Sequence, residues 1–445
     1  MTRLRDAIFP EAPATPVSRR QLVIGAGLLA FGVVYSLGRV RGVGALDGVF
    51  AEDGANFLAD AANRSMLDAV LNPVNGYYLT YQRVLAEITT AFPISLWASV
   101  NAIFAAVSTV VLAFVVYAAS GAHLRHPALR LMAAAPVVVQ WVANGEIVDN
   151  VATLQFPALY AIFWLLLGVQ TRRSGKIAAP IFTAVAALST ILTITLIPLA
   201  LARTILRRDR TGLLMTVTLV LGGAVQLLGL ATGNAERSNI GESPRFEPLW
   251  ILDQFANVQV PVAFLGEGWI QGEVVHTGEH KALIALAWAV PLAALVLALL
   301  RRTRPAWILA AIAAAYAVAL FALQIALIGR VPGRYLLPSM LLLVTTVIAL
   351  LLPRSWDGGT SWTGPEGFGT VPIVVLATLL AVVALANYRL DHVYRTPAVP
   401  SWSKQVTANT EKCRQDPALQ AVTFQSGPLS KRAWGAFPVP CDRLR

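Results

Sequence analysis

The chain has 445 residues, of which 56% are hydrophobic and only 13% charged, and its mean hydropathy is +0.63. A soluble domain carries about 45–50% apolar and roughly 25% charged residues. These values exclude a soluble enzyme, a disordered regulator and a small disulfide scaffold, and they require a bilayer as solvent. The net charge of +11 comes from 35 basic against 24 acidic residues. The arginines fall in short runs between apolar stretches, so the excess reads as positive charge kept at the cytoplasmic face, with no nucleic acid as partner.

Residues 1–20 are polar and carry Arg3, Arg5, Arg19 and Arg20 ahead of an uncharged run over 21–38. This pattern predicts a cytoplasmic N-terminus followed by a first transmembrane helix. Further uncharged stretches occupy 88–124, 150–171, 212–235, 282–300, 305–329, 335–353 and 367–388. Each reaches the ~20 residues that cross ~30 Å of hydrocarbon. Two segments are less simple. Residues 131–145 are apolar but short for a span, and 177–202 lie between two basic clusters, Arg172, Arg173 and Lys176 before, and Arg203, Arg207, Arg208 and Arg210 after.

The positive-inside rule resolves both. With the two clusters on one face, 177–202 must enter and leave the membrane as two short helices that turn at Ser189 and Thr190. Residues 131–145 and 151–170 likewise form a hairpin whose tip is 145–150. The fold class is therefore all-α: a polytopic membrane protein with about eleven transmembrane helices, N-terminus inside and C-terminus outside. It divides into a cytoplasmic N-terminus at 1–20, a membrane domain at 21–388 and an extracytoplasmic tail at 389–445. Broken helices are tolerated at membrane depth only when buried in protein or lining a wet cavity, so a cavity open to the outer face is expected. The long polar loops 41–92 and 233–280 and the tail share that side. The cysteines, Cys413 and Cys441, lie in this tail. Disulfides persist in oxidising compartments, and the two are expected to pair.

The first outer loop opens with Phe50, Ala51, Glu52, Asp53 and Gly54. Asp53 is a good N-cap for a following helix, but the acids also stand at the mouth of the inferred cavity. The stretch 71–78 is dense in turn formers and includes Asn75, Tyr77 and Tyr78, and Arg83 stands near the expected second helix. Acids, an amide, tyrosines and an arginine together suit a hydroxylated substrate that bears an anion. An arginine meets such an anion with two parallel hydrogen bonds. Arg334 is the first choice for that role, with Arg330 and Arg83 as alternates; snorkelling to headgroups is the structural explanation for Arg330 and Arg334. Residues 248–258 form a moderately amphipathic piece expected to lie at the membrane interface.

Ala51, Glu52, Asp53 and Gly54 after the first helix, Asn75 to Tyr78, the hairpin tip 144–150, and Gly333, Arg334 and Tyr335 before a late helix together resemble the GT-C superfamily of integral-membrane glycosyltransferases. The resemblance covers most of 20–390 and consists of architecture and short motifs. It implies transfer of a sugar from a polyprenyl-phosphate donor to a cell-envelope glycan or lipid acceptor at the outer face of the cytoplasmic membrane, with membrane lipids around it. By position it implies Asp53 as catalytic base with Glu52 beside it. A carboxylate can take the proton of an attacking sugar hydroxyl, and Arg334 would hold the leaving phosphate. Glu146, Asn75, Tyr77, Tyr78 and Tyr335 are the expected substrate-binding residues. A divalent cation stays open as a cofactor, with Asp53, Glu52 and Glu146 as its ligands if it binds, although hard cations want more oxygens than these. The rival reading is a transporter or flippase. No internal repeat supports it, and the candidate acids stand at helix ends, whereas transporters bind near the midplane.

Overall fold

A computed structural model describes residues 2–12, 18–232, 244–268, 278–353, 370–388, 399–427 and 435–445. The chain is a multi-pass, mostly helical membrane protein. Among the described residues, six helical stretches are long and apolar enough to cross a bilayer: Arg19–Leu37, Ile94–Ala122, Arg210–Ala231, Lys281–Leu299, Trp307–Ile328 and Gly333–Leu350. Shorter apolar helices at Pro127–Val139, Val151–Leu167 and Val371–Ala386 complete the bundle. Parts of two regions expected outside the membrane, 233–243 and 269–277 of the second loop and 389–398 of the tail, lie outside the described residues.

Helix α1 (Thr2–Ile8) precedes α2 (Arg19–Leu37), whose start is fixed by a reciprocal cap between Ser18 and Gln21. Leu22, Leu28, Phe31 and Val34 on α2 are exposed, a surface suited to lipid. The first loop then carries a π-helical turn at Asp53–Leu58, α3 (Ala59–Asn63) and α4 (Met66–Val70). Next come α5 (Thr80–Thr90) and α6 (Trp97–Ala119). The second span therefore begins later than the apolar run at 88–124 suggested. Pro93 disfavours helix in the residue before it, and α5 ends ahead of it as a separate, amphipathic helix.

The hairpin consists of α7 (Pro127–Val139), α8 (Asn144–Ile147) and α9 (Gln155–Leu167). From Phe156 to Leu167 every residue of α9 is buried, as a helix apolar on all sides must be. Tyr160 of α9 bonds Thr345 at 2.7 Å, on a helix named below. Helices α7 and α9 have 13 residues each, about 20 Å of rise against about 30 Å of hydrocarbon.

Residues 177–202 belong to two helices, α10 (Arg173–Ala187) and α11 (Ile197–Arg207), with the turn at 188–190. Gln170 before α10 and Arg203 near the end of α11 meet at 3.0 Å, so the chain goes in and returns to the same end. Arg203 is fully buried and caps the last carbonyls of α9, donating to Leu165 O at 2.7 Å and Gly168 O at 3.0 Å. It also pairs with Asp209 at 3.1 Å, the residue that caps α12 (Arg210–Ala231). Arg207 donates to Phe9 O, and Val169 bonds Pro10 O at 2.9 Å. The N-terminal segment and both basic clusters thus share one end of the bundle.

Helices α13 (Pro248–Gln254) and α14 (Val260–Leu265) are joined by a π-helical turn. Leu249 and Leu252 are exposed, as an interfacial piece requires, but Val258 and everything from there to Leu265 is buried. The amphipathic segment therefore covers only the first half; the run Val260–Leu265 is wholly apolar save for its backbone and dives into the core. The long helices α15 (Gly278–Leu299), α16 (Trp307–Ile328) and α17 (Gly333–Leu350) follow, then α18 (Val371–Ala386).

The tail contains α19 (Trp402–Gln415) and an antiparallel pair, β1 (Ala421–Gln425) and β2 (Ala436–Pro440). Cys413 and Cys441 are joined in a disulfide. Trp402 is buried against Trp97, Phe424 and Phe437, and its indole N–H donates to Ile94 O at 2.8 Å. The tail therefore sits at the end of the bundle opposite the N-terminal segment.

Arg203→Met removes the cap from α9 and strands Asp209. Leaving those buried carbonyls unpaired should cost about 3 kcal/mol, read as a drop of several degrees in the melting temperature of detergent-solubilised protein.

Candidate functional site

At the tail-bearing end a cavity of about 60 Å³ opens between the first loop, the hairpin and the start of α17. Ligand pockets for whole small molecules run to several hundred Å³, so this space holds only part of a larger substrate. Glu52, Asn75 and Tyr77 line it from the first loop, Glu146, Asn150, Thr153, Gln155 and Phe156 from the hairpin, and Arg334 and Tyr335 from α17.

The backbone around it is strained. Among the described residues, seven non-glycine residues have positive φ, and five of them, Ala51, Asn75, Gln140, Ala143 and Asp149, lie in the first loop or the hairpin. Such conformations cost of order 1–3 kcal/mol each and persist where surrounding structure enforces them, which is common at functional sites. Asn75 at φ 52 and Gly76 at φ 84 form a tight turn closed by Val74 and Tyr77, whose main chains exchange bonds of 3.0 and 3.1 Å. Asn-Gly is the pair such a turn demands, and it delivers Tyr77 to the cavity. Gly333 matters for the opposite reason: a Cβ there would come within 3.1 Å of the Ala143 Cβ, so its absence lets the N-terminus of α17 meet the hairpin tip.

That meeting creates the charged wall. The Arg334 main-chain N–H donates to Glu146 Oε2 at 3.2 Å, and the guanidinium Nη1 lies 3.4 Å from the same oxygen. The guanidinium also stands over the Tyr335 ring at 5.3 Å, and Tyr335 meets Phe156 edge-on at 5.3 Å. A helix N-terminus favours negative charge by its unpaired N–H groups and dipole, and Arg334 adds a full positive charge there. Burial, followed by the neighbouring Tyr335, pushes the Tyr77 phenol well above its ordinary pKa. Tyr77 therefore keeps its proton and serves as a neutral hydrogen-bonding group.

Asp53 stands elsewhere than expected. It is 1% exposed and does not line the cavity. Its Oδ2 accepts from Asn101 Nδ2 at 2.7 Å and Val151 N at 2.9 Å, and its Oδ1 accepts from Ala152 N at 2.9 Å. With both oxygens engaged by N–H donors, the carboxylate caps the turn Val151–Thr153 and pins the hairpin to the first loop. Ala51 at φ 48 turns the chain just before the pair, and Glu52 is the acid that reaches the cavity.

Three other expected residues are anchored away from it. Arg83 is 2% exposed within α5 and donates to Asp60 Oδ2 and Ala69 O, each at 2.8 Å; Asp60 already neutralises it. Tyr78 exchanges main-chain bonds of 2.8 and 3.1 Å with Gln226, and its ring fills the space beside Gly229. Arg330 does not line the cavity. Conversely, Gln155 and Thr153 line it without having been anticipated; the available signal was a glutamine opening an otherwise apolar helix. The acid trio does not suit a divalent cation. The Asp53 oxygens face N–H donors, Glu146 is paired with Arg334, and among the described residues no three His, Cys, Asp or Glu side chains gather as a metal site.

No family model matches the chain, and no curated protein does. Among solved structures it is similar to ArnT from Cupriavidus metallidurans bound to undecaprenyl phosphate, with 14% identity and a TM-score of 0.42. The similarity covers 82% of this chain and 64% of that one.

Asp53→Asn turns an amide N–H₂ toward donors that need an acceptor. The expected loss is about 2 kcal/mol, seen as a lower melting temperature, whereas Glu52→Gln should melt like the unaltered protein.

Proposed function

We propose that the chain is a membrane glycosyltransferase that moves a sugar from a polyprenyl-phosphate donor to a hydroxyl of a cell-envelope glycan or lipid, at the outer face of the cytoplasmic membrane. The observation that carries this reading is one cavity lined by a carboxylate from the first loop, Glu52, and by a guanidinium at a helix N-terminus, Arg334. The first-loop and late-helix motifs that resemble the GT-C superfamily supply exactly these two walls' residues, and the reading of the base moves from Asp53 to its neighbour.

In this mechanism the acceptor hydroxyl attacks the anomeric carbon while its proton passes to Glu52. The bond between that carbon and the phosphate oxygen breaks, and the electron pair leaves with the phosphate. Arg334 and the positive end of the α17 dipole meet the charge that develops there. Glu146 holds the Arg334 side chain in place from the hairpin. Tyr77, Tyr335 and Asn75 contact the sugars. A single displacement of this kind inverts the anomeric centre. Transport fits the cavity less well, because its charged groups cluster at one end of the bundle instead of at mid-depth.

Transfer from a panel of undecaprenyl-phosphate sugars to envelope acceptors tests this. Glu52→Gln should lower kcat by about 10²–10⁴-fold, the range for loss of a general base, with the melting temperature unchanged. Arg334→Ala should lose both donor affinity and turnover. Full turnover by Glu52→Gln removes the proposed base.

A further inference from the structure

We infer that Gln155 reads a sugar hydroxyl in the cavity; this rests on the glycosyl-transfer reading and names a substrate feature recognised by the same site. Gln155 is the first residue of α9 and lines the cavity between Thr153 and Phe156. Tyr77 lines the same cavity from the first loop. Gln155 Oε1, shut off from solvent, has no hydrogen-bond partner. Leaving a buried amide oxygen unpaired costs about 1–3 kcal/mol.

The neighbouring polar groups of the hairpin are satisfied internally. Asn150 Nδ2 donates to Glu146 O at 2.7 Å, Asn150 Oδ1 accepts from Ala152 N at 3.0 Å, and Thr153 Oγ1 donates to Asn150 O at 3.0 Å. The Gln155 oxygen thus differs from these neighbours, and Gln155 lines the cavity.

The chemistry of that oxygen limits what completes it. A carbonyl oxygen only accepts, so its partner must bring an O–H or N–H. The phosphodiester of the donor brings neither and belongs with Arg334. A sugar hydroxyl donates to Oε1, and it is equally able to accept from an N–H, so it satisfies the amide in either orientation. The ring of Tyr335, held edge-on by the buried Phe156 at 5.3 Å, gives the apolar face of a sugar a surface to lie on. A site built around a hydroxyl rejects the analogue that lacks it far more strongly than an apolar pocket rejects an extra methylene. Gln155 is on these grounds a specificity-determining residue, and the hydroxyl it reads belongs to the donor sugar or the acceptor sugar.

The experiment uses the full-length protein in nanodiscs. The probes are undecaprenyl phosphate, undecaprenyl-phosphate pentoses and hexoses, soluble acceptor glycosides, and monodeoxy forms of each sugar that binds. Gln155→Leu should hold undecaprenyl phosphate with unchanged affinity while binding the recognised sugar at least tenfold more weakly. Deleting one hydroxyl should weaken binding to the unaltered protein by the same factor and leave Gln155→Leu indifferent. Whether that hydroxyl sits on the donor lipid or on the acceptor glycoside identifies the source. Gln155→Glu keeps an accepting oxygen at the same reach and should retain the discrimination, which separates loss of recognition from loss of folding. Unchanged sugar affinity in Gln155→Leu, or an equal penalty for every deoxy probe, overturns the role of Gln155 and leaves the transfer reading standing. Absence of binding to every sugar-bearing lipid by the unaltered protein overturns the transfer reading and this inference with it.

Discussion

The Asp53 carboxylate accepts from Asn101 on α6 and from the main chain at Val151 and Ala152, and through these three bonds a single buried charge joins the first loop, a transmembrane helix and the hairpin. Hydrogen bonds to an ionised acceptor are roughly twice as strong as neutral ones, and a buried carboxylate without them is costly enough to force rearrangement. Glu52 precedes this anchor, and Asn150 and Gln155 flank the turn it caps. The same bonds therefore set the separation between the first-loop wall of the cavity and the hairpin wall. A mobile loop would let that separation drift, and catalytic groups displaced by about 1 Å lose much of their effect.

The tail reinforces this anchor from the other side. Gly427 accepts from Ala51 N at 2.5 Å and donates to Val49 O at 3.0 Å, so a strand-like bridge brackets the strained Ala51. Gly54 is packed so closely that a Cβ would come 2.7 Å from Ser426 and 2.9 Å from the Phe437 ring. Asp47 accepts from Ser401 Oγ at 2.6 Å and from Ser403 N at 2.7 Å, which ties the start of α19 to the same loop. Strain at Ala51 is sustained because the tail leaves the chain no relaxed alternative, and the disulfide keeps α19 joined to the end of β2. The C-terminal segment thus bears on the cavity by holding the backbone that presents Glu52.

The architecture was legible where a charge or a length constrained it. The short helices α10 and α11 follow from two basic clusters that must share a face, and Arg203 meeting Gln170 is the contact that this parity requires. The hairpin tip was legible from the polar residues between 144 and 150. What could not be read depends on direction. Glu52 and Asp53 are adjacent and chemically alike, and only the positive φ of Ala51 and the π-helical turn that follows decide which one faces the cavity. Arg83 and Tyr78 look like ligand-binding residues until their partners are known. Asp60 lies 23 residues from Arg83 and Gln226 lies 148 from Tyr78; neither pairing leaves a local pattern. The burial of α14 was missed, because its six apolar residues follow an amphipathic segment inside a long loop placed wholly outside the membrane.

Phe50, Ala51, Leu79, Ala152 and Phe156 also line the cavity and are buried, so its polar groups work among buried apolar side chains, where electrostatic interactions are less screened than in water. In the proposed reaction, negative charge moves from Glu52, which takes up the proton, to the phosphate oxygen that leaves; the total charge of the cavity does not change. The energetic cost is then set by the difference in potential between the first-loop wall and the α17 wall. Arg334 and the N-terminus of α17 make the destination more favourable than the origin. Glu146 lowers that advantage by pairing with Arg334 at 3.4 Å, yet it also fixes the guanidinium against the hairpin, so that the positive charge need not be reoriented as the phosphate leaves. A cavity arranged in this way accepts a weaker attraction for the donor in exchange for a field already in place when the bond breaks.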